Sequence, residues 1–133
     1  MAALRAVTLL ASLTTPELRR LAQQTRCRRC AEGEVVVEQG ERGFGFYILL
    51  EGCASVSVDG AIVGTLHAGD TFGEIAAVGE PTRTATIVAA TDMVCLTMTP
   101  WHLRGFLSVH APVAWSMLLR VARLVATEGA THA

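Results

Sequence analysis

Hydrophobic and polar positions follow three successive patterns along the 133-residue chain. In the first part, leucines recur at helical spacing, and "TTPELRRLAQQ" carries a helix start in which Thr14 or Thr15 can cap and Pro16 takes an early helical position. This pattern predicts helices within residues 1–30, with their apolar side facing a core.

From about residue 33 to residue 98, the pattern changes to short apolar segments separated by glycines. Strand-length runs rich in Val, Ile and Thr are "EVVVEQ", "FYILLE", "CASVSVDG", "AIVGTLH", "RTATIVAAT" and "DMVCLTMT", and "VDGA" suits a hairpin turn. Many short strands at close spacing predict a β-sandwich, a jelly roll or a barrel. We therefore predict one mainly β domain over residues 1–133, flanked by helices.

Helical spacing returns over residues 100–128, in "WHLRGFLSVH" and "PVAWSMLLRVARLVATEG". Trp101 and Trp115 lie near the starts of these helices, as expected of apolar anchors. The last helix is apolar except for a narrow stripe at helical spacing, formed by Ser116, Arg120, Arg123 and Thr127. Packing on one β-core would not bury so much apolar surface, so the helix is expected to contact a second copy of the chain or an effector.

Composition narrows the class of protein. The chain is 51% hydrophobic and 17% charged, with 11 arginines, no lysine and a net charge of −1, which fits a compact fold and no nucleic-acid partner. The basic cluster formed by Arg19, Arg20, Arg26, Arg28 and Arg29 is interpreted as a solvated helix face. The absence of lysine beside abundant arginine and alanine indicates a bacterial source. Neither a membrane-span length of apolar sequence nor a secretory signal is seen, so we expect a cytoplasmic protein.

No pattern of catalytic or metal-binding residues emerges. The sequence lacks a Gly-x-Ser-x-Gly elbow and clustered histidines, its histidines being scattered singly at His67, His102, His110 and His132. "CRRC", residues 27–30, has a redox or metal spacing, but structural thiols are the simpler interpretation of the four cysteines. We expect no enzyme activity and no metal.

The segment "FGEIAAVGEPTRTAT", residues 72–86, combines features of an anion site. Gly73 and Gly79 bracket a short apolar run whose first backbone N–H groups can face an anion. Arg83, nine residues after Glu74, is the only Arg or Lys between Gly43 and Leu103, and its planar fork suits phosphate or carboxylate. The alternative is a structural ion pair of Arg83 with Glu74, Glu80 or Asp92.

"FGEIAAV" followed by "TRTAT" resembles the phosphate-binding cassette of cyclic-nucleotide-binding domains. These occur in regulators of the cAMP receptor protein and FNR type, in protein kinase A regulatory subunits and in cyclic-nucleotide-gated channels. "GERGFGFYILLEG", "LLASLTTPELRRLA" and "FLSVHAPVAWSMLLRVARL" are similar to the family's turn-strand motif, N-terminal helices and last helices, so the resemblance extends over about residues 4–127. It implies a β-roll (double-stranded jelly roll) over residues 33–98, with hinge and lid helices after it.

The resemblance also implies the ligand and its contacts. The ligand would be a cyclic purine nucleotide, cAMP by default, with cGMP not excluded because Thr84 can reach guanine. Glu74 would accept hydrogen bonds from the ribose 2′-hydroxyl, and Arg83 would hold the cyclic phosphate. The other positions implied in the site are Phe72, Gly73, Ile75, Ala76, Ala85 and, on the lid helix, Thr127.

The chain departs from the family pattern at three positions. Phe44 stands where the family often has an acidic or amide residue that steers the cassette arginine, Pro81 is displaced by one position, and Ala77 replaces a larger aliphatic residue. Two hypotheses follow: a regulatory sensor that transmits occupancy through its last helices, or a degenerate domain that only dimerises or docks.

Overall fold

The structure is a computed structural model, and it describes Leu4 and residues 7–43, 45–74 and 82–126. A short 3₁₀ helix, Thr8–Leu10, precedes helix α1, Thr15–Gln23. The strands are β1 Arg26–Cys30, β2 Val35–Val37, β3 Phe46–Glu51, β4 Cys53–Val58, β5 Ala61–His67, β6 Thr71–Phe72, β7 Thr86–Ala89 and β8 Met93–Met98. Helices α2, Pro100–Val109, and α3, Ala111–Ala126, follow them.

The strands form two antiparallel sheets of four strands each, in the orders β1-β8-β3-β6 and β2-β7-β4-β5. Each sheet contains strands from both the early and the late part of the chain, as in a roll whose two halves are wound together. The predicted architecture, a β-roll with flanking helices, is confirmed. No helix within the described ranges is long and apolar enough to cross a membrane.

Helix α1 begins as its sequence predicts. Thr14 and Glu17 form a reciprocal capping box, in which the Thr14 N–H donates to Glu17 Oε1 over 2.8 Å and the Glu17 N–H donates to Thr14 Oγ1 over 3.3 Å. Leu18 and Leu21 are buried beneath the helix.

The helical segment expected up to residue 30 ends earlier. Residues Arg26–Cys30 are strand β1, paired along its whole length with β8, so that Arg28 lies opposite Cys95. Three arginines of the basic cluster therefore lie on a strand and not on a helix face. The ladder with β8 is a contact between distant parts of the chain, and it overrides the local pattern.

Strand β3 joins the two hydrophobic cores because it is buried on both faces. Phe46 and Ile48 pack in a core made with the flanking helices, whereas Tyr47 and Leu49 point into the interior of the roll. Its continuous apolar sequence, "FYIL", is what burial on both faces requires. This alternation places the Tyr47 ring inside the roll.

Helix α3 is only partly covered by the rest of the domain. Val113 and Met117 are buried, but Trp115, Leu118 and Leu119 are 62%, 56% and 39% exposed. The predicted excess of apolar surface on this helix is therefore present. Trp115 and, in α2, Trp101 are exposed, so neither is the buried anchor that the sequence suggested.

The two cysteines of "CRRC" lie on strand β1, where their spacing turns their side chains in different directions. Residues three apart on a strand point to opposite faces, and accordingly Cys27 is exposed and Cys30 is buried. All four cysteines are free thiols. Burial raises the pKa of Cys95 to about 12 and also raises the pKa of Cys30.

This burial predicts a strict order of thiol reactivity. At pH 8 iodoacetamide should modify Cys27 first, while Cys95 should react only on unfolding because its thiolate is disfavoured. Peptide mass spectrometry of protein quenched at increasing times measures the order, with a urea-unfolded sample as control. Rapid labelling of Cys95 in the folded protein would contradict the packing of β8.

Candidate functional site

Two charged side chains are buried in the part of the domain that the structure describes. Glu74 is 0% exposed and Arg83 is 5% exposed. Charged groups are rarely buried unless they are paired, because desolvation is costly. Yet Glu74 Oε2 and Arg83 Nη1 have no hydrogen-bond partner among the described residues. The site therefore contains a buried acceptor and a buried donor with unused bonding capacity.

Glu74 follows the short strand β6, and its partners all gather on one oxygen. The Thr71 hydroxyl and two nitrogens of Arg120 donate to Oε1, the distances from Arg120 Nη2 and Nε being 3.1 and 3.3 Å. Arg120 Nη2 also lies 3.4 Å from the Thr71 carbonyl oxygen. The carboxylate is thus held in place through Oε1, and Oε2 is left available.

Arg120 was not among the predicted site residues. The sequence places it in the polar stripe of the last helix, and the structure turns that position toward the roll, where it forms an ion pair with Glu74. The signal that could have identified it is an isolated cation among apolar neighbours, since a half-buried guanidinium needs a carboxylate partner.

The backbone around Arg83 is tied to the turn that follows β2. The Arg83 N–H donates to the Glu41 carbonyl over 2.8 Å, and the Gly40 N–H donates to the Arg83 carbonyl over 2.9 Å. These two bonds fix the point from which the guanidinium enters the site.

The side chain of Arg83 is held without a carboxylate among the described residues. Nη2 donates to the Gly45 carbonyl over 3.0 Å, and Cζ lies 5.9 Å from the centre of the Tyr47 ring. Burial lowers the pKa of Arg83, and Tyr47 partly opposes that effect. The alternative prediction, an ion pair of Arg83 with Glu74 or Asp92, is not formed; Glu80 lies outside the described residues.

Gly73 allows the two buried groups to approach the same stretch of backbone. Its φ is +86°, a left-handed conformation that favours glycine. A Cβ at this position would clash with the Gly45 carbonyl oxygen and lie 3.0 Å from Arg83 Nη1. The unpartnered donor of Arg83 thus faces Gly73, directly beside Glu74.

The remaining predicted positions divide into three groups. The Phe72 ring is 1% exposed and stacks on Tyr47, with ring centres 4.7 Å apart, so it supports the site from within the core. Ala85 is buried and Thr84 is half-buried at the start of the segment leading into β7. Ile75, Ala76 and Thr127 lie outside the described residues, as do Phe44, Ala77 and Pro81.

A cleft of about 380 Å³ opens beside Arg83. Its size falls within the usual range for small-molecule sites. It is lined by Val35, Val36, Val37, Glu38, Glu41, Arg42, Gly43, Tyr47 and Arg83. No group of acidic, His or Cys side chains in the described ranges could hold a metal ion. The arrangement suits a small anion that also carries a hydroxyl.

Replacing Gly73 by alanine should destabilise the fold more than the same change at Gly60. Both glycines have a φ near +85°, but a Cβ at Gly60 would meet nothing within 4 Å. Gly60→Ala should cost about 1–2 kcal/mol for the left-handed backbone alone. Gly73→Ala adds the clash with Gly45, and urea unfolding of both variants measures the difference. Equal losses would show that the backbone approach at Gly73 is not tight.

Removing Arg120 should leave Glu74 buried without its ion-pair partner. We expect Arg120→Met to lower the free energy of unfolding by about 1–3 kcal/mol, since Arg120 is itself 38% exposed. Arg104→Met, at an exposed position of α2, is the matched control. An Arg120 variant as stable as the control would show that the ion pair contributes nothing to folding.

The fold and the site geometry can be compared with known proteins. The family model described as "Cyclic nucleotide-binding domain" matches residues 27–110. The chain is 36% identical over 114 residues to the cAMP-dependent protein kinase regulatory subunit of Mycosarcoma maydis, which covers 81% of this chain and 22% of the relative. It is 38% identical over 65 residues to a cGMP-dependent protein kinase of Caenorhabditis elegans, covering 49% of this chain and 8% of the relative.

A solved structure of cAMP-bound PfPKA-R superposes with a TM-score of 0.84 and 26% identity, over 92% of this chain and 42% of that chain. The chain spans about a fifth of the length of the kinase regulatory subunit that it matches. The two sequence relatives named here are eukaryotic, so the bacterial source predicted from composition gains no support. The family model matches more than half of the chain, and the chain therefore belongs to the cyclic nucleotide-binding domain family.

Proposed function

We propose that this domain binds a cyclic purine nucleotide, cAMP by default, and acts as a regulatory sensor. The observation that carries the proposal is the pair of buried, unpartnered atoms beside Gly73, Arg83 Nη1 and Glu74 Oε2. Leaving a buried charged group without its hydrogen bond costs about 1–3 kcal/mol or more. A ligand with one anionic oxygen to accept from Arg83 and one hydroxyl to donate to Glu74 relieves both costs.

A cyclic nucleotide matches these requirements in charge and in chemistry. Its phosphate carries a single negative charge, which one guanidinium neutralises, and its ribose carries a free 2′-hydroxyl that can donate to Oε2. The amides of Gly73, Ile75 and Ala76 would complete the anion contacts at the start of the cassette.

The base is the least determined part of the ligand. Thr84, at the start of the segment leading into β7, offers a hydroxyl that could contact guanine, and Thr127 is proposed as a contact of either purine. The relatives include both a cAMP-dependent and a cGMP-dependent kinase protein. We keep cAMP as the default ligand and cGMP as the competitor.

Occupancy would reach the outside of the domain through Arg120. This residue joins helix α3 to the carboxylate that would receive the ribose, so a ligand on Glu74 changes the energy of the α3 contact. We propose that the cassette moves against α2 near Trp101 and Phe106. The exposed apolar side of α3 then becomes available to bind an effector. The ligand shifts this equilibrium only by its different affinity for the two arrangements.

The alternative function, a degenerate docking domain, does not explain why Glu74 and Arg83 are buried. Such a domain would retain Glu74 and Arg83 in the interior at a cost in stability and with no use for them. A sensor of this kind is expected in the cytoplasm, where cyclic nucleotides are made.

Calorimetric titration with cAMP and cGMP tests the proposal on protein stripped of nucleotide by unfolding and refolding. Saturable one-to-one binding is expected, and Arg83→Ala should weaken it by about 2–5 kcal/mol because a desolvated phosphate loses its cation. Arg42→Ala is the matched control, since Arg42 lines the same cleft but is exposed.

Excess ligand should also raise the melting temperature of the wild-type protein, because it binds only the folded state. No heat and no change in melting temperature with either nucleotide would overturn the proposal. Equal losses in the Arg83 and Arg42 variants would remove Arg83 from the phosphate contact.

A further inference from the structure

The described residues leave open how Arg83 keeps its direction. A guanidinium that must meet a phosphate is normally steered by a fixed acceptor, because its long side chain otherwise samples many rotamers. Here its described side-chain contacts are one carbonyl, that of Gly45, and the ring of Tyr47. A carbonyl bond to Nη2 alone leaves the plane of the guanidinium free to rotate about that bond. The ring is therefore the contact that can define the orientation.

Tyr47 is itself rigidly held. It is 8% exposed, and its ring stacks on Phe72 with an angle of 3° between the planes. Phe72 immediately precedes Gly73, so the same stack ties the ring to the backbone that faces Arg83. The aromatic pair therefore connects the cation to the cassette.

The hydroxyl of Tyr47 is anchored by Arg28. Arg28 Nη1 donates to the Tyr47 oxygen over 3.2 Å and to the Val36 carbonyl over 3.3 Å, and Nη2 lies 3.4 Å from Glu34 Oε2. The sheet register explains the contact: Arg28 pairs with Cys95 and Tyr47 with Thr97, two residues further along β8, so their side chains share one face.

We propose that Tyr47, oriented by Arg28, is the positioning residue that aims Arg83 at the phosphate of the ligand. This inference rests on the proposed function and deepens it. The aromatic ring takes the role that the family resemblance implies for an acidic or amide residue at position 44. Because the ring is neutral, it directs the guanidinium without neutralising it, and the whole positive charge remains available to the ligand.

The first test compares three variants by cAMP titration. Tyr47→Leu should raise the dissociation constant about fivefold to thirtyfold, the range of a desolvated cation–π contact. Tyr47→Phe keeps the ring and loses only the hydrogen bond from Arg28, so it should raise the constant less than Tyr47→Leu does, by no more than about threefold. Phe46→Leu removes an equally buried ring on the other face of β3 and controls for general loss of packing.

A double-mutant cycle separates positioning from packing. In an Arg83→Gln background, Tyr47→Leu should change the dissociation constant less than about twofold, because the cation on which the ring acts is gone. An equal effect of Tyr47→Leu in both backgrounds, or an equal effect of Phe46→Leu in the wild type, would overturn the proposal.

A spectroscopic readout needs no ligand at all. Tyr47 is the only tyrosine of the chain, so protein labelled with 3-fluorotyrosine gives a single assignable ¹⁹F resonance. Arg83→Gln and Arg28→Gln should each shift that resonance, whereas Arg42→Gln and Arg29→Gln, at exposed neighbouring positions, should not.

The two proposals can therefore fail separately. If neither cAMP nor cGMP binds the wild-type protein, the proposed function fails, and the ¹⁹F shifts alone decide whether Tyr47 contacts Arg83. An unchanged resonance in the Arg83 variant would overturn the positioning role whatever the ligand.

Discussion

Glu74 and Arg83 carry opposite charges, lie in the interior beside the same glycine and do not bond to each other. Burying two charged groups without a bond between them costs free energy, and hydrogen bonds from neighbouring residues reduce that cost. Oε1 of Glu74 is satisfied by Thr71 and Arg120, and Nη2 of Arg83 by the Gly45 carbonyl. One polar atom of each side chain, Glu74 Oε2 and Arg83 Nη1, has no hydrogen-bond partner among the described residues. A site built in this way binds most strongly a ligand that carries both an anion and a hydroxyl, because such a ligand satisfies both atoms together.

The β-roll provides the rigid frame for these groups. Strand β3, buried on both faces, places Tyr47 inside the roll and Phe46 under the helices, and the Tyr47 ring stacks on Phe72 at the end of β6. Helix α3 reaches the same place from outside through Arg120. The site thus contains contributions from the first sheet, the cassette and the last helix. The helix that contacts Glu74 through Arg120 also has an apolar, exposed side.

Much of this was predictable from the sequence. Close spacing of short Val- and Ile-rich segments predicted a β-sandwich, jelly roll or barrel, and the resemblance of residues 72–86 to a known cassette narrowed this to the β-roll. The isolation of Arg83 among apolar residues indicated a special role for it. The capping residues of α1 were also recognisable, because capping depends on residues three positions apart. Each of these inferences depends on neighbours along the chain, so the order of residues is sufficient to make it.

Other features were decided only by tertiary structure. Residues 26–30 became a strand because β8, more than sixty residues later, offers a ladder of backbone hydrogen bonds. The contacts of Arg120 with Glu74 and of Tyr47 with Arg83 arise in the same way, since neither partner is a neighbour along the sequence. The sequence by itself determined the class of fold and pointed to the two charged residues at the centre of the candidate site. Which side chains hold those charges was decided by packing, because a buried ion is stabilised by whatever the fold brings within about 6 Å of it.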